Sequence, residues 1–270
     1  MQLSSLIASP FVLPSIPKVV ALLLSELERE EPDLKKISLL ISTDPALTAR
    51  LLQLSNSGFF QLSQRVNSVS ESLAVVGLSH VRTMAAASAT GASLKAVPGI
   101  NLQHYWGYSL DVAKVSRSLA GVVLQNQQAA FTAGLIHLVG ELAMRIAMPA
   151  EMAALDADVP ALDARRGKAE LRSFGYNYAH VASGLARKWL FPQPIVEALE
   201  HQDAPFDGDA YEPLAGVLHL AAWRARAKDG GLNQREMAVT FPGAVGEVLA
   251  LDIDMVLQQD PIDWTILNRI

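Results

Sequence analysis

Apolar residues recur at three- and four-residue intervals along most of this chain, the spacing of one face of an α-helix. Val20, Leu23, Leu24 and Leu27 form the first such stripe, and it ends before Pro32. A short helix is expected over 34–41. In "STDPALTARLLQLSNSG", Asp44 suits a cap and Pro45 the first helical position. Leu47, Leu51 and Leu54 make the buried stripe there, and Gly58 follows as a stop. "SVSESLAVVG" repeats this grammar, with Ser68 and Glu71 spaced for a capping box and Gly77 placed as the C-terminal glycine. Ser79 then caps a helix from His80 to about Ser93. "VPGIN" is the best internal break, because proline and glycine stand together at Pro98 and Gly99. A long helix is predicted over 102–124, and "FTAGLIHLVGELAM" lies on another. After Pro149, "AALDADVPALDARRGK" is polar, proline-interrupted and less periodic. Helices resume over 177–189, 194–200 and 213–228, "KDGG" is a turn, and a last helix covers 243 to about 259. No run alternates as a strand does, and no repeat of solenoid length is present. The pattern predicts an all-α protein, with a helical bundle over 1–97 ahead of a larger one over 98–270.

Composition narrows the function classes. Half of the 270 residues are apolar and 18% are charged, enough for a sizeable core. The net charge of −5, 22 basic against 27 acidic residues, gives no electrostatic case for nucleic acid as main partner. With no cysteine there is no disulfide framework, thiolate metal site or cysteine nucleophile. The start lacks the charged region of a secretory signal, and no apolar stretch reads as long enough to span a bilayer, so a cytoplasmic protein without membrane contact is expected.

The candidate chemistry lies in the histidines: His80, His104, His137, His180, His201 and His219. A metal-bound water that attacks phosphate needs nitrogen and carboxylate ligands converging from several helices. His137, His180 and His201 each fall on a predicted helix, but dozens of residues apart. For any one of them alone, a hydrogen-bonded core or surface histidine is the better reading. "SNSGFF" offers Asn56, Ser57, Phe59 and Phe60 as a binding cluster, against the simpler reading of a helix end with both phenylalanines packed between subdomains. Arg165, Arg166 and Lys168 read as a solvated loop by default. Trp106, Trp189 and Trp223 read as core anchors. Neither a glycine-rich phosphate loop nor a Gly-x-Ser-x-Gly elbow occurs.

Five pieces in joint order, "LPSIP", "ISTDPALTARLLQLSNSGFF", "SVSESLAVVGLSHVR", "AAFTAGLIHLVGELA" and "HVASGLARKWLFPQPIVEALEHQ", resemble the HDOD family, degenerate relatives of the HD and HD-GYP phosphohydrolases. The resemblance covers roughly residues 13–223. It implies an all-helical HDOD-type fold and a role in bacterial signal transduction. It also implies where metal ligands would stand in an active HD enzyme. The residue after His137 would be aspartate and is Leu138. An earlier histidine would stand at Tyr108. His180 and His201 match retained histidines, the second member of a histidine pair is Gln202, and the final aspartate position is Ala222. The signature loop of the HD-GYP enzymes is not visible.

Two function classes follow. The first is a non-catalytic regulatory module that binds a signalling protein or a small ligand in the vestigial cleft. The second is a residual metal-dependent phosphohydrolase acting on a nucleotide or cyclic dinucleotide. The missing carboxylates at 138 and 222 favour the first, with no cofactor expected. His137, His180 and His201 remain a weak alternative metal set, suited to zinc or nickel rather than to harder cations. A ligand or partner is expected in the cleft of these histidines, and the rival place is a groove between the bundles lined by Asn56, Ser57, Phe59 and Phe60.

Overall fold

The structure, a computed structural model, describes residues 1–10, 13–92, 97–208 and 211–259. Among these residues every regular element is a helix. The first group comprises α1 (Leu3–Ala8), α2 (Pro17–Leu27), α3 (Leu34–Ser42), α4 (Pro45–Ser55), α5 (Val69–Val76) and α6 (Leu78–Ala92). The second begins with α7 (Leu102–Val122), α8 (Gln127–Ile136), α9 (Val139–Ala147), α10 (Pro149–Asp156) and α11 (Arg166–Phe174). It continues through α12 (Tyr178–Lys188), α13 (Gln193–His201) and α14 (Pro213–Asp229). The last three are α15 (Gln234–Thr240), α16 (Gly243–Leu249) and α17 (Ile253–Gln258). The all-α expectation holds.

Helices α2 to α6 pack on one another, and α7, α8, α9, α12, α13 and α14 form the larger bundle. Helix α1 docks on α9 and α12 of that larger bundle. There the Tyr176 hydroxyl donates to the Met1 carbonyl at 3.0 Å, and Lys188 Nζ to that of Ile7 at 2.7 Å. One apolar core cluster runs from Leu6 to Val256 through both bundles.

Several caps work as the sequence suggests. The buried Asp44 side chain accepts from the backbone N–H of Ala46 and Leu47, and also from that of Ile16 at 2.6 Å. It thereby caps α4 and fixes the entry to α2. Burial raises the Asp44 carboxyl to about 6 against the pull of these donors. The Ser68 hydroxyl accepts from Glu71 N–H as the box requires, while the Glu71 carboxylate reaches one residue further back, to Asn67 N–H. Gly77 adopts φ +74°, where a side chain would be strained.

Other expectations are corrected. Helix α6 starts at Leu78, directly after Gly77, not at His80, and its expected end at Ser93 lies outside the described residues. The stretch 131–144 is not one helix: His137 closes α8 and Leu138 opens α9. Segment 127–147 also has the length and composition of a membrane span, contrary to expectation, but 89% of its most apolar window is buried inside the protein. Its apolar faces are used by the core on every side. The region 149–174 is not irregular but carries α10 and α11, and the final helix breaks at Ala250, whose φ is +54°.

The "DARRGK" loop reading fails at one residue. Arg165 is exposed and pairs with Asp163, but Arg166 is 1% exposed. Arg166 and the equally buried Arg145 share Glu141 and Asp156, and Arg166 alone also holds Glu170. Arg145 Nη2 meets Asp156 Oδ1 at 2.6 Å and Glu141 Oε1 at 2.8 Å; Arg166 Nη2 meets Glu141 Oε1 at 3.0 Å, and its Nε meets Glu170 at 2.9 Å. Burial and the adjacent Glu141 push the Glu170 carboxyl well up, so it holds a proton at neutral pH. Two guanidinium charges then face two carboxylates. Glu141 also acts on Glu170 through its side chain, while its own buried Oε2 has no partner among the described residues. The low periodicity of this segment reflects that buried charge, since apolar patterning does not register a core made of ions. Removing one partner from such a network leaves uncompensated buried charge. Arg166→Ala is expected to lower unfolding free energy by about 3–5 kcal/mol in urea titrations. Its exposed neighbour in Arg165→Ala changes stability by no more than about 1 kcal/mol. Equal effects would contradict the network.

Candidate functional site

Two glycines explain how the chain closes around His137. A Cβ at Gly134 would stand 2.6 Å from Ala113 Cα on α7, and one at Gly140 2.0 Å from the Tyr178 carbonyl oxygen on α12. Only glycine permits these approaches. The helix break between them therefore sits pressed between α7 and α12. His137 is 2% exposed, and its Nδ1–H donates to the Gly134 carbonyl at 2.7 Å, one turn back on α8. That bond assigns the proton to Nδ1 and leaves the lone pair on Nε2. Burial, with a contribution from the nearby Arg226 charge, depresses its pKa to about 3.

The other positions of the implied ligand set have taken structural duties. Tyr108 lies with its ring 5.8 Å from that of His137 and donates its hydroxyl to the Ala222 carbonyl at 3.1 Å. Leu138 and Ala222 are buried, at 5% and 7% exposure. Gln202 Nε2 donates to the His137 carbonyl at 3.2 Å and to that of Leu199 at 2.9 Å, closing the open carbonyl end of α8. His180 completes a capping box on α12: its N–H donates to Asn177 Oδ1, and its Nδ1 accepts from Asn177 N–H at 3.3 Å. His201 ends α13 and turns to another side, where a Cβ on Gly208 would stand 3.1 Å from its Cε1 and where its charge acts on Glu212. Among the described residues, no three histidine, aspartate or glutamate side chains gather in a metal-ligating group, the set His137, His180 and His201 included.

Three residues that the sequence reading passed over, Arg226, Asp203 and Tyr178, stand in this region, together with His219. The half-buried Arg226 lies at the Tyr108 phenol and within electrostatic reach of His137, Tyr178, Asp203 and His219. It forms no ion pair with any described carboxylate. Arg226 stands one helical turn after Ala222 on α14. A helical side chain covers the turn N-terminal to its own Cα, and the small Ala222 leaves that space open. His219 Nδ1 bonds the Gln202 carbonyl at 2.8 Å, and burial lowers its pKa. Burial raises the Asp203 carboxyl, which is packed against Gly167 with Arg226, Lys168 and the His219 and His180 rings within electrostatic reach. The signal for Arg226 was its four-residue step from the aspartate position in "HLAAWRARAK".

The second candidate cluster is elsewhere. Asn56 exchanges both amide bonds with the Val66 backbone, at 3.0 and 2.9 Å, and Ser57 bonds the Leu54 carbonyl at 2.7 Å. Phe59 is 73% exposed and forms an edge-on trio with Phe60 and His80 on the first bundle. A cavity between the two bundles is lined by different residues, from α3, α5, α7 and α8.

This geometry defines the class: an all-α, HD-like double bundle with His137 buried at the junction of α7, α8, α13 and α14. The chain belongs to the HDOD domain family, whose model matches residues 13–205, well over half of its length. It is similar to the response regulator MmoQ from Methylococcus capsulatus str. Bath, at 25% identity and TM-score 0.72, covering 92% of this chain and 97% of that one. It also resembles a candidate phosphohydrolase from Shewanella amazonensis SB2B, at 28% identity and TM-score 0.56, covering 95% and 92% of the two chains. An uncharacterized protein of Treponema pallidum (strain Nichols) is 24% identical over 221 residues. That match takes in 81% of this chain but only 43% of the relative's length.

The buried imidazole gives a direct check. The folded His137 ring declines a proton that the unfolded ring accepts near 6.5, so this group favours the folded state less and less as the pH falls from 6.5 toward about 3. Its imidazole 15N shifts are expected to keep the neutral pattern, with the proton on Nδ1, down to about pH 4. Titration near the ordinary value would contradict the site as described.

Proposed function

We propose that this chain is a non-catalytic signal-transduction module whose HD-type cleft receives a signalling protein or a small ligand. Family membership and likeness to a response regulator support the signalling role. The observation that carries the non-catalytic reading is Arg226, a permanent cation in no ion pair among the described residues, beside Tyr108 and His137.

Hydrolysis by a metal-bound hydroxide needs a dication held by imidazoles and carboxylates. Leu138 and Ala222 offer no lone pair in their side chains, and the guanidinium would repel a second cation in the same cleft. Hard cations prefer oxygen ligands, so the residues present do not fit magnesium or manganese. A cleft of this kind suits a neutral or anionic, partly apolar guest. The acidic balance of the chain argues against nucleic acid as partner, and a cytoplasmic site of action without membrane contact completes the reading.

A second reading is a residual metal-dependent phosphohydrolase acting on a nucleotide or cyclic dinucleotide. The lone pair kept on His137 Nε2 and the likeness to a candidate phosphohydrolase favour it. The test is an assay of the purified protein on p-nitrophenyl phosphate, its bis ester and a cyclic dinucleotide, with magnesium, manganese or zinc. No turnover above buffer is expected. Metal-dependent turnover that disappears in a folded His137→Ala variant would establish the second reading instead.

A further inference from the structure

The cavity between the bundles lies apart from the HD-type cleft. It measures about 450 Å³, within the range of small-molecule sites. Its walls carry Lys35 from α3 and Lys114 and Arg117 from α7, and among the described residues no aspartate or glutamate lines it. In a chain whose net charge is −5, an acid-free concavity with three cations is a local reversal of sign. The cations are not all taken up by structural pairs. Lys36 turns to Glu26 at 2.8 Å, while its neighbour Lys35 lines the cavity without a carboxylate partner among the described residues. Arg117 is exposed and likewise in no ion pair among them. Lys114 and Arg117 lie three residues apart on α7, on one side of that helix.

The remaining lining has two characters. Ser38, Ser42 and Ser70 present hydroxyls, with Ser38 Oγ and Ser70 Oγ 3.4 Å apart across α3 and α5. Leu110 and Phe131 supply an apolar wall from α7 and α8. Cations with hydroxyls match the oxygens of a phosphate, which accept charge-assisted hydrogen bonds. The apolar wall matches a ring or hydrocarbon body attached to it. We infer that this groove binds a small phosphate monoester with an aromatic or apolar body, of the mononucleotide class.

Such a ligand would touch both bundles at once. It would hold α3 and α5 against α7 and α8, and α8 ends at His137. Binding would therefore stiffen the junction and bear on the cleft from outside it, as an effector does. The inference goes beyond the proposed cleft function and stands whether or not the cleft takes a ligand.

The experiment uses the full chain with AMP, inorganic pyrophosphate and adenosine, followed by calorimetric titration and thermal unfolding. AMP is expected to bind saturably and raise Tm, pyrophosphate to compete with it, and adenosine to do neither. The double variant Lys35→Glu/Arg117→Glu is expected to weaken AMP binding by about tenfold or more. Circular dichroism checks its fold, and the milder Lys35→Gln/Arg117→Gln replaces it if the reversal disturbs folding. Silence of AMP and pyrophosphate at millimolar concentration overturns the inference. So does equal binding of adenosine, or AMP affinity that the charge variants leave unchanged. Hydrolysis of AMP would count against the non-catalytic reading of the cleft and leave this site in place.

Discussion

Two guanidinium groups with almost no access to solvent set the frame of this protein. Arg145 on α9 and Arg166 on α11 are held by Glu141, Asp156 and Glu170, which come from α9, α10 and α11. Glu170 also accepts from Tyr178 N–H at 2.7 Å, which places the first turn of α12. Arg145 Nη1 reaches the Pro98 carbonyl at 3.4 Å, tying in the break between the bundles. Ions in a low-dielectric interior tolerate few alternative arrangements, because any other leaves a charge unpaired. This makes the network a positional constraint more than a source of net stability. The start of α12 carries Tyr178 and His180, so the cleft inherits its geometry from the ions behind it.

On that frame, the residues at the implied ligand positions do structural work. Gln202 closes the end of α8, His180 caps α12, and Tyr108 bonds the Ala222 backbone. His137, His180, Gln202 and Tyr108, four of the residues at implied ligand positions, each have a backbone partner. That explains why such residues persist without carboxylates beside them. In the proposed reading, Arg226 supplies a fixed positive charge beside Tyr108 and His137, where an active enzyme of the resembling class would hold metal ions. The sign of the site is kept while its chemistry changes, since a guanidinium neither ionises water nor accepts ligands.

Much of the fold was legible because it is written in caps and apolar stripes. Asp44 with Pro45, Ser68 with Glu71, and Gly77 each do locally what their residue types favour. The failures have one physical source: periodicity reports burial of apolar groups and little else. Arg166 and Glu170 are core residues with solvent-type side chains, so α11 read as a loop. The break at His137 and Leu138 is invisible in a run that is apolar on every side, and only the tight seating of Gly134 and Gly140 reveals it. Of the candidate site, the sequence offered His137, His180 and the two missing carboxylates. Arg226 was not legible, because its role depends on reach along α14 and on the space that Ala222 leaves. The local role of the cluster at Asn56, Ser57, Phe59 and Phe60 was not legible, because sequence does not show that the amide of Asn56 is committed to the backbone of Val66.

The central claim is that the fixed cation of Arg226 has replaced the metal in this cleft. Calorimetric titration of the metal-free protein with manganese, and then with zinc, tests it most directly. The account predicts no saturable metal binding by the wild-type chain. It also predicts that Arg226→Ala alone creates no tight site, since the carboxylates at 138 and 222 are still missing. Stoichiometric binding by the wild-type protein, lost in a folded His137→Ala variant, would contradict the account.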